Sequence, residues 1–253
     1  MESNVFQSQS LPKAYFRLSL PVVFSMVITI VYNITDTYFI ALTQNTDLVA
    51  GVSLCAPVFT LLMAFGKIFG QGGSSLLSRL LGKQEAEGAH RVSAFCFYVS
   101  IAFGVVVGAL MLLLRGSILH LLGAAAETFA YAAPYYTWMA VGAPFVVLFF
   151  IHTNLLRSEG MSRESMIGTI GGSVVNIILD PVLIFGLHLG AAGAAIATVL
   201  GYVFTDLYCL WVVLRCISPS VLEDTTASSC PSPWRTCLLP DWQWFCIAAE
   251  RTV

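Results

Sequence analysis

Two aspartates lie inside apolar stretches that are long enough to cross a membrane, and each shares a helical face with other polar side chains. Residues three, four or seven positions apart lie on one side of a helix, so each set forms a polar stripe. The first stripe holds Thr29, Asn33, Asp36 and Thr37, and the second holds Thr169, Ser173, Asn176 and Asp180. An ionisable side chain at membrane depth costs about 2.5–3.5 kcal/mol, so it is a functional site by default. The two aspartates therefore predict a transport protein, which moves a solute across a membrane as an ion binds to the carboxylates and is released from them.

The second stripe has the chemistry of a site for a small, hard cation. Asn176 and Asp180 are four residues apart, so both side chains can reach one ion. Pro181 has no N–H, which leaves the carbonyl oxygen of Ile177 available as a further ligand. Carboxylate, amide and hydroxyl oxygens suit a proton or Na⁺ and do not suit zinc or copper. The alternative is that these groups are hydrogen bonds between helices, and for Ser173, as for Asn33, both interpretations remain open.

The composition is that of a membrane protein. Of 253 residues, 57% are hydrophobic and 10% are charged, whereas soluble domains carry about 25% charged residues. The net charge of −2 gives no basic face for nucleic acid. Seven cysteines form no C-x-x-C pair, which argues against a zinc site and a disulfide framework. The apolar stretch after the polar N-terminus is too long for a cleaved signal peptide.

Six stretches reach the roughly 20 residues of helix that a bilayer core requires. They cover about residues 16–42, 48–70, 92–114, 128–153, 166–187 and 191–214. We therefore predict an all-α membrane protein, with a bundle of six transmembrane helices over residues 1–215. The second span is expected to bend at Gly72 into an interfacial helix that ends at Leu81. Residues 216–253 contain four prolines and follow no period, which predicts an irregular tail from an out-of-frame or truncated end.

Basic residues indicate the orientation of the bundle. If the N-terminus is cytoplasmic, eight Lys and Arg residues near the helix ends fall inside and only Arg115 falls outside, which is a strong positive-inside pattern. The eight are Lys13, Arg17, Arg79, Lys83, Arg91, Arg157, Arg163 and Arg215. An even number of spans then returns the C-terminus to the cytoplasm.

In this topology, polar residues of three helices lie at one depth. Asp36 is six residues before the outer end of the first span, Asp180 is eight before His188, and Thr198 is eight after Gly190. At 1.5 Å per residue, all three lie roughly 9–12 Å below the outer surface. Oxygen ligands at a shared level predict a cation-binding or proton-coupling site made of Asp36, Asn176, Asp180 and Thr198.

Other polar residues are weaker candidates. Asn154 is a tentative lining residue, but it lies at the cytoplasmic end of the fourth span, far from the aspartates unless that helix bends. Lys67 is expected to snorkel to the inner surface. Asp206 either lines a vestibule or snorkels, and His152 is expected at an interface.

Short motifs along the chain together resemble the N-terminal lobe of the multidrug and toxic-compound extrusion family, MATE. The resemblance covers about residues 12–215. Its motifs are Asn-Ile-Thr-Asp-Thr from Asn33, Gly-Gly-Ser-Ser from Gly72, Asn-Leu-Leu-Arg-Ser-Glu-Gly from Asn154, Asn-Ile-Ile-Leu-Asp-Pro from Asn176, and Gly-Ala-Ala-Ile-Ala-Thr from Gly193.

The resemblance implies a multi-pass protein of the inner (plasma) membrane that exports drugs or other amphipathic organic compounds by antiport with H⁺ or Na⁺. It implies a transporter rather than an enzyme, and no cofactor. In this family the positions matching Asp36, Asn176, Asp180 and Thr198 form the cation site of the first lobe, so Na⁺ would lie at Asp36, Asn176 and Asp180. We expect the substrate to be an amphipathic organic cation.

Family members have twelve helices in two lobes around a central cleft, and this sequence matches one lobe. The expected partners are therefore the lipid bilayer, a small organic substrate, and a missing second lobe or a second copy of the chain, with no nucleic acid.

Three alternatives remain. A lipid-linked sugar flippase of the same superfamily would line its cavity with arginines for phosphate, and Arg115 is the only arginine in the outer half. An intramembrane aspartyl protease needs Gly-x-Gly before an aspartate, whereas Ile178 and Leu179 precede Asp180. The irregular tail is also what an inert gene fragment would carry.

Overall fold

The computed structural model describes residues 11–83 and 85–217, and every element in this part of the chain is helical. The α-helices are α1 (Leu11–Leu42), α2 (Thr46–Gly82), α3 (Ala86–Leu113), α4 (Arg115–Leu121), α5 (Ala126–Ser158), α6 (Ser162–Pro181) and α7 (Ala191–Ile217). Six of them are long and apolar enough to cross a membrane, which confirms the predicted all-α bundle of six spans. The additional short helix α4 lies where only a connection between spans was predicted.

Helix α5 is the centre of the bundle. It packs against α2, α3 and α7, and about three fifths of its most apolar window is buried, a larger share than in the other spans. Val146, Val147, Ile151 and Leu155 have no exposed surface. Large apolar side chains on the outer helices remain exposed in the isolated chain, which is the pattern expected of a protein that faces lipid.

Glycines bring α6 and α7 into close contact. A Cβ atom on Gly201 would lie 2.8 Å from the carbonyl oxygen of Gly172, and one on Gly193 would lie 2.8 Å from the backbone of Leu183. Small residues at such positions let the backbones of neighbouring helices approach closely.

Helix α1 lies at the edge of the bundle. Its main packing partner is α6, and it makes few contacts with α2 and α7. Only 6% of its most apolar window is buried. Because α1 has one main partner, groups at the contact between α1 and α6 strongly affect where it sits.

The end of α6 departs from regular α-helix directly after Pro181. Residues Val182–Gly186 form a π-helical turn, in which the Leu187 N–H donates to the Val182 carbonyl at 3.0 Å. Proline lacks the N–H that an α-helix needs, which accounts for a change of hydrogen-bonding pattern at this point.

One prediction about local structure is wrong. Helix α2 continues without interruption through Gly72 to Gly82 instead of starting a new interfacial helix. His152 is buried between helices, 3% exposed, and its level relative to the membrane interface stays a prediction. The predicted irregular tail lies outside the described residues from position 218 onwards.

Candidate functional site

Asp36 of α1 and Asp180 of α6 meet at the contact between these two helices. Their carboxyl groups lie within hydrogen-bonding contact of each other. Asp180 is 0% exposed and Asp36 is half-buried. The Oδ1 atom of each carboxyl group has no hydrogen-bond donor among the described residues. Two carboxyl groups in contact at membrane depth can share a proton or a cation, because two uncompensated negative charges would repel each other strongly.

Asn176 and Thr198 complete the polar cluster around Asp180. In the amide orientation that satisfies its neighbours, Asn176 donates from Nδ2 to Asp180 Oδ2 at 3.3 Å and accepts from the Thr198 backbone N–H at 3.1 Å. The Thr198 hydroxyl lies 3.3 Å from the same end of the amide. Asn176 and Thr198 are 2% and 7% exposed. The structure thus brings together all four residues of the predicted site.

The donor set fits a proton or a hard cation. It offers two carboxyl groups, one amide and one hydroxyl, and two of the carboxyl oxygens have no hydrogen-bond partner in the described part of the chain. Oxygen ligands of this kind are those that Na⁺ or a proton can use. Within residues 11–83 and 85–217, no three His, Cys, Asp or Glu residues are grouped to hold a metal ion.

Three tyrosines, which the sequence did not single out, surround the aspartates. The Tyr32 and Tyr202 hydroxyl oxygens are 3.4 Å apart. Buried Tyr135 lies close enough to Asp36, Asp180 and Tyr32 to interact with them electrostatically. Tyr32 is one turn before Asp36, and Tyr202 is one turn after Thr198. The i, i+4 spacing from a site residue is the sequence signal by which Tyr32 and Tyr202 could have been predicted.

A cavity of about 480 Å³ is lined by α1, α2, α5, α6 and α7 next to this cluster. Its volume is within the range of sites for drug-sized ligands, about 300–1,000 Å³. Tyr32, Asn176 and Thr198 line it, whereas Asp36 and Asp180 do not and lie behind this wall. The cavity and the carboxyl pair are therefore neighbours that share Asn176 and Thr198.

The three tentative lining residues Asn33, Ser173 and Asn154 all line the cavity. Asn154 lies away from the aspartates, where its Nδ2 donates to the Phe150 carbonyl at 2.6 Å. Lys67 also lines the cavity, with its Nζ 5.6 Å from the centre of the Phe150 ring. Its expected position near the inner surface stays a prediction.

Asp206 neither lines the cavity nor snorkels. Its carboxylate is 3.0 Å from His152 Nδ1, and both residues are buried between α5 and α7. This pair joins the central helix to α7 beside the cavity.

Comparison with known proteins decides the family. The MatE family model matches residues 21–182. The chain belongs to the MATE family. As the resemblance implied, it is therefore a multi-pass protein of the inner (plasma) membrane.

Two curated relatives of this MATE chain are described as multidrug export protein MepA. The proteins of Staphylococcus haemolyticus and Staphylococcus aureus are each 37% identical over 203 residues, which is 80% of this chain and 45% of the relative. The chain thus spans about half the length of the curated relatives it matches.

Solved MATE structures share the fold. An outward-facing multidrug resistance transporter of the MOP superfamily matches with a TM-score of 0.78 and 31% identity, over 84% of this chain and 47% of that one. A MATE crystal structure in a bent conformation matches with a TM-score of 0.76 and 30% identity, over 91% of this chain and 54% of that one.

Proposed function

We propose that this chain is the N-terminal six-helix lobe of a secondary active transporter that exports drugs or other amphipathic organic compounds in exchange for H⁺ or Na⁺. The observation that carries the proposal is the contact between the Asp36 and Asp180 carboxyl groups beside a cavity of drug-sized volume. The curated relatives, described as multidrug export proteins, support the same function.

The carboxyl pair can couple an ion to a change of shape because it joins two helices. Asp36 belongs to α1, whose main packing partner is α6, the helix of Asp180. A proton or Na⁺ between the carboxyl groups holds α1 against α6, and release of the ion leaves two like charges in contact. Differential binding of the ion to two packings of α1 is what shifts the population between them.

Asn176 and Thr198 transmit this change to the cavity. Both contact the carboxyl cluster on one side and line the cavity on the other. A shift of the Asp180 carboxyl group therefore moves atoms of the cavity wall. In this scheme Tyr32 and Tyr202, which also line the cavity, separate the substrate from the ion.

The driving force is sufficient for export. One charge that crosses a potential of about 100 mV releases about 2.3 kcal/mol, and each pH unit adds about 1.4 kcal/mol. The sum sustains a substrate gradient of between tenfold and a thousandfold. Both termini are cytoplasmic in the proposed arrangement, because eight of the nine basic residues near the helix ends then lie inside.

The carboxyl pair is tested in a full-length relative. Asp36→Asn and Asp180→Asn, made at the matching positions, should each abolish ion-driven efflux and leave membrane insertion intact, because an amide neither exchanges the proton nor balances a cation. Dye uptake into inside-out vesicles, which corresponds to export from the cell, is measured under an imposed H⁺ gradient and, separately, under an imposed Na⁺ gradient, which also identifies the coupling ion.

The matched control is Thr37→Val on the same helix. The Thr37 side chain is exposed and bonds only to the Asn33 carbonyl of its own helix, so its loss should leave efflux unchanged. Normal efflux by either asparagine variant would remove that carboxylate from the mechanism.

A further inference from the structure

Two basic side chains line the cavity at a distance from the carboxyl pair, and among the described residues no Asp or Glu lines it. They are Lys67 of α2 and Arg157 of α5. Arg157 contacts Ser165 near the start of α6, and Asp180 is fifteen residues further along that helix, roughly 22 Å away. The charges of the two regions are therefore well separated.

Lys67 is an exposed residue of α2 whose side chain lines the cavity. Met63, Lys67 and Gln71 follow at four-residue intervals, and all three line the cavity. Beside them, a Cβ atom on Gly70 would lie 2.6 Å from the Phe150 carbonyl oxygen, so α2 and α5 are in backbone contact. Lys67 Nζ lies over the Phe150 ring and has no carboxylate partner among the described residues.

Among the described residues, the hydrogen-bond partners of Arg157 are neutral. Its Nε donates to Ser165 Oγ at 3.1 Å, and its Nη2 donates to Ser25 Oγ at 3.3 Å. These two bonds to α6 and α1 fix the guanidinium group without neutralising it. Phe150, Asn154 and Arg157 are spaced by four and three residues, so Arg157 and the ring beneath Lys67 lie on one face of α5.

We propose that Lys67 and Arg157 form a subsite for the acidic group of an amphipathic substrate, a carboxylate, sulfonate or phosphate. Neither positive charge has a carboxylate partner among the described residues, and an anion in the cavity would balance both. The Asn154 amide beside them offers a further polar contact, and Phe149, Phe150 and Tyr202 offer an aromatic wall for the apolar body of the substrate. An organic cation, the class expected from the resemblance, would meet two like charges here.

This inference rests on the proposed function and deepens it, since it names the substrate class of the same cavity. It is tested by binding to the purified full chain in nanodiscs of zwitterionic lipid with no ion gradient. If the binding test fails, the proposal of ion-coupled export still stands. If ion coupling fails in the efflux test, the result of the binding test is unaffected. The probes are dansyl-labelled undecanoic acid and its methyl ester, which differ in the charge of one group. Dansyl fluorescence reports the affinity of each.

The wild-type chain should bind the acid about tenfold more tightly than the ester, the size of effect that a hydrogen bond to a charged group has. Lys67→Met should remove this preference and Lys67→Arg should keep it. The matched control is Lys83→Met, which removes the same charge from an exposed residue at the end of α2 outside the cavity. This control should bind like the wild type.

Three outcomes would overturn the proposal: equal wild-type affinity for acid and ester, an undiminished preference in Lys67→Met, or an equal loss in Lys67→Met and Lys83→Met. A second arm identifies the source of the acidic group. Competition by phosphatidylglycerol added to the nanodisc would assign the subsite to a lipid headgroup, and no competition would assign it to a lipid-free organic acid.

Discussion

Residues of one polar stripe differ in what they do. On α6, Asn176 bonds across to Thr198 of α7 as well as to Asp180, whereas the Ser173 hydroxyl bonds back to the Thr169 carbonyl of its own helix. Both side chains are buried and both line the cavity. Only Asn176 therefore connects the carboxyl pair with a second helix.

Asn176→Ala should weaken ion coupling more than Ser173→Ala. The alanine removes a hydrogen bond to a carboxylate, about 1.5–3 kcal/mol, so the ion concentration for half-maximal efflux should rise at least about tenfold. Ser173→Ala removes a hydrogen bond within one helix and should change this ion concentration less than about twofold. The measurement is dye efflux by a full-length relative over a series of Na⁺ or H⁺ concentrations. Equal effects would instead indicate generic helix packing.

The four residues of the candidate site could be selected from the sequence because each is a polar residue in an apolar helix. Tyr135 could not, because a tyrosine in such a helix fits a site, the lipid interface or the core equally well. That Lys67 lines the cavity was also beyond the sequence. Whether a lysine side chain reaches a cavity depends on how its helix packs, and α2 packs on α5 through Gly70 and the Phe150 backbone.

The helices themselves are less ambiguous, because about 20 apolar residues admit few alternatives in a bilayer. The predicted bend at Gly72 is wrong. A pair of glycines is a weak signal for helix, but the packing of the second glycine, Gly73, determines the structure here. A Cβ atom on Gly73 would lie 2.5 Å from Cys96 Sγ, so the glycine lets α2 pass close to α3 and continue as a helix.

The same argument predicts which glycines the fold needs. Gly172→Ala should destabilise the bundle by about 1–3 kcal/mol, because its Cβ would lie 2.1 Å from Thr205 Oγ1 and 2.5 Å from the Gly201 carbonyl oxygen. The matched control is Gly72→Ala, where nothing lies within 4 Å of the added Cβ in an exposed stretch of helix. That change should be neutral or stabilise by about 0.5–1 kcal/mol.

Unfolding of each variant in mixed micelles, followed by tryptophan fluorescence, measures this difference. A loss of stability in Gly72→Ala as large as that in Gly172→Ala would show that close contact between α6 and α7 is not the cause.

On the scale of the whole molecule, the cavity belongs to one six-helix lobe. The chain spans 45% of the curated relatives and 47% of the outward-facing structure it resembles. Alternating access moves one repeat or bundle against another around a fixed site. Two lobes that are parallel about an axis along the membrane normal have the same relation as the subunits of a twofold homodimer.

The chain expressed alone should therefore insert with six spans and fail to export, unless two copies pair. The test is expression in a drug-sensitive host that lacks its own exporters, with dye accumulation measured beside the size of crosslinked oligomers. Asp36→Asn is the control, because any export by a pair of chains should disappear with the carboxylate. Reduced accumulation together with a crosslinked dimer would mean that a second copy replaces the second lobe. Reduced accumulation from a strictly monomeric chain would contradict the requirement for two lobes, since six helices would then suffice for alternating access.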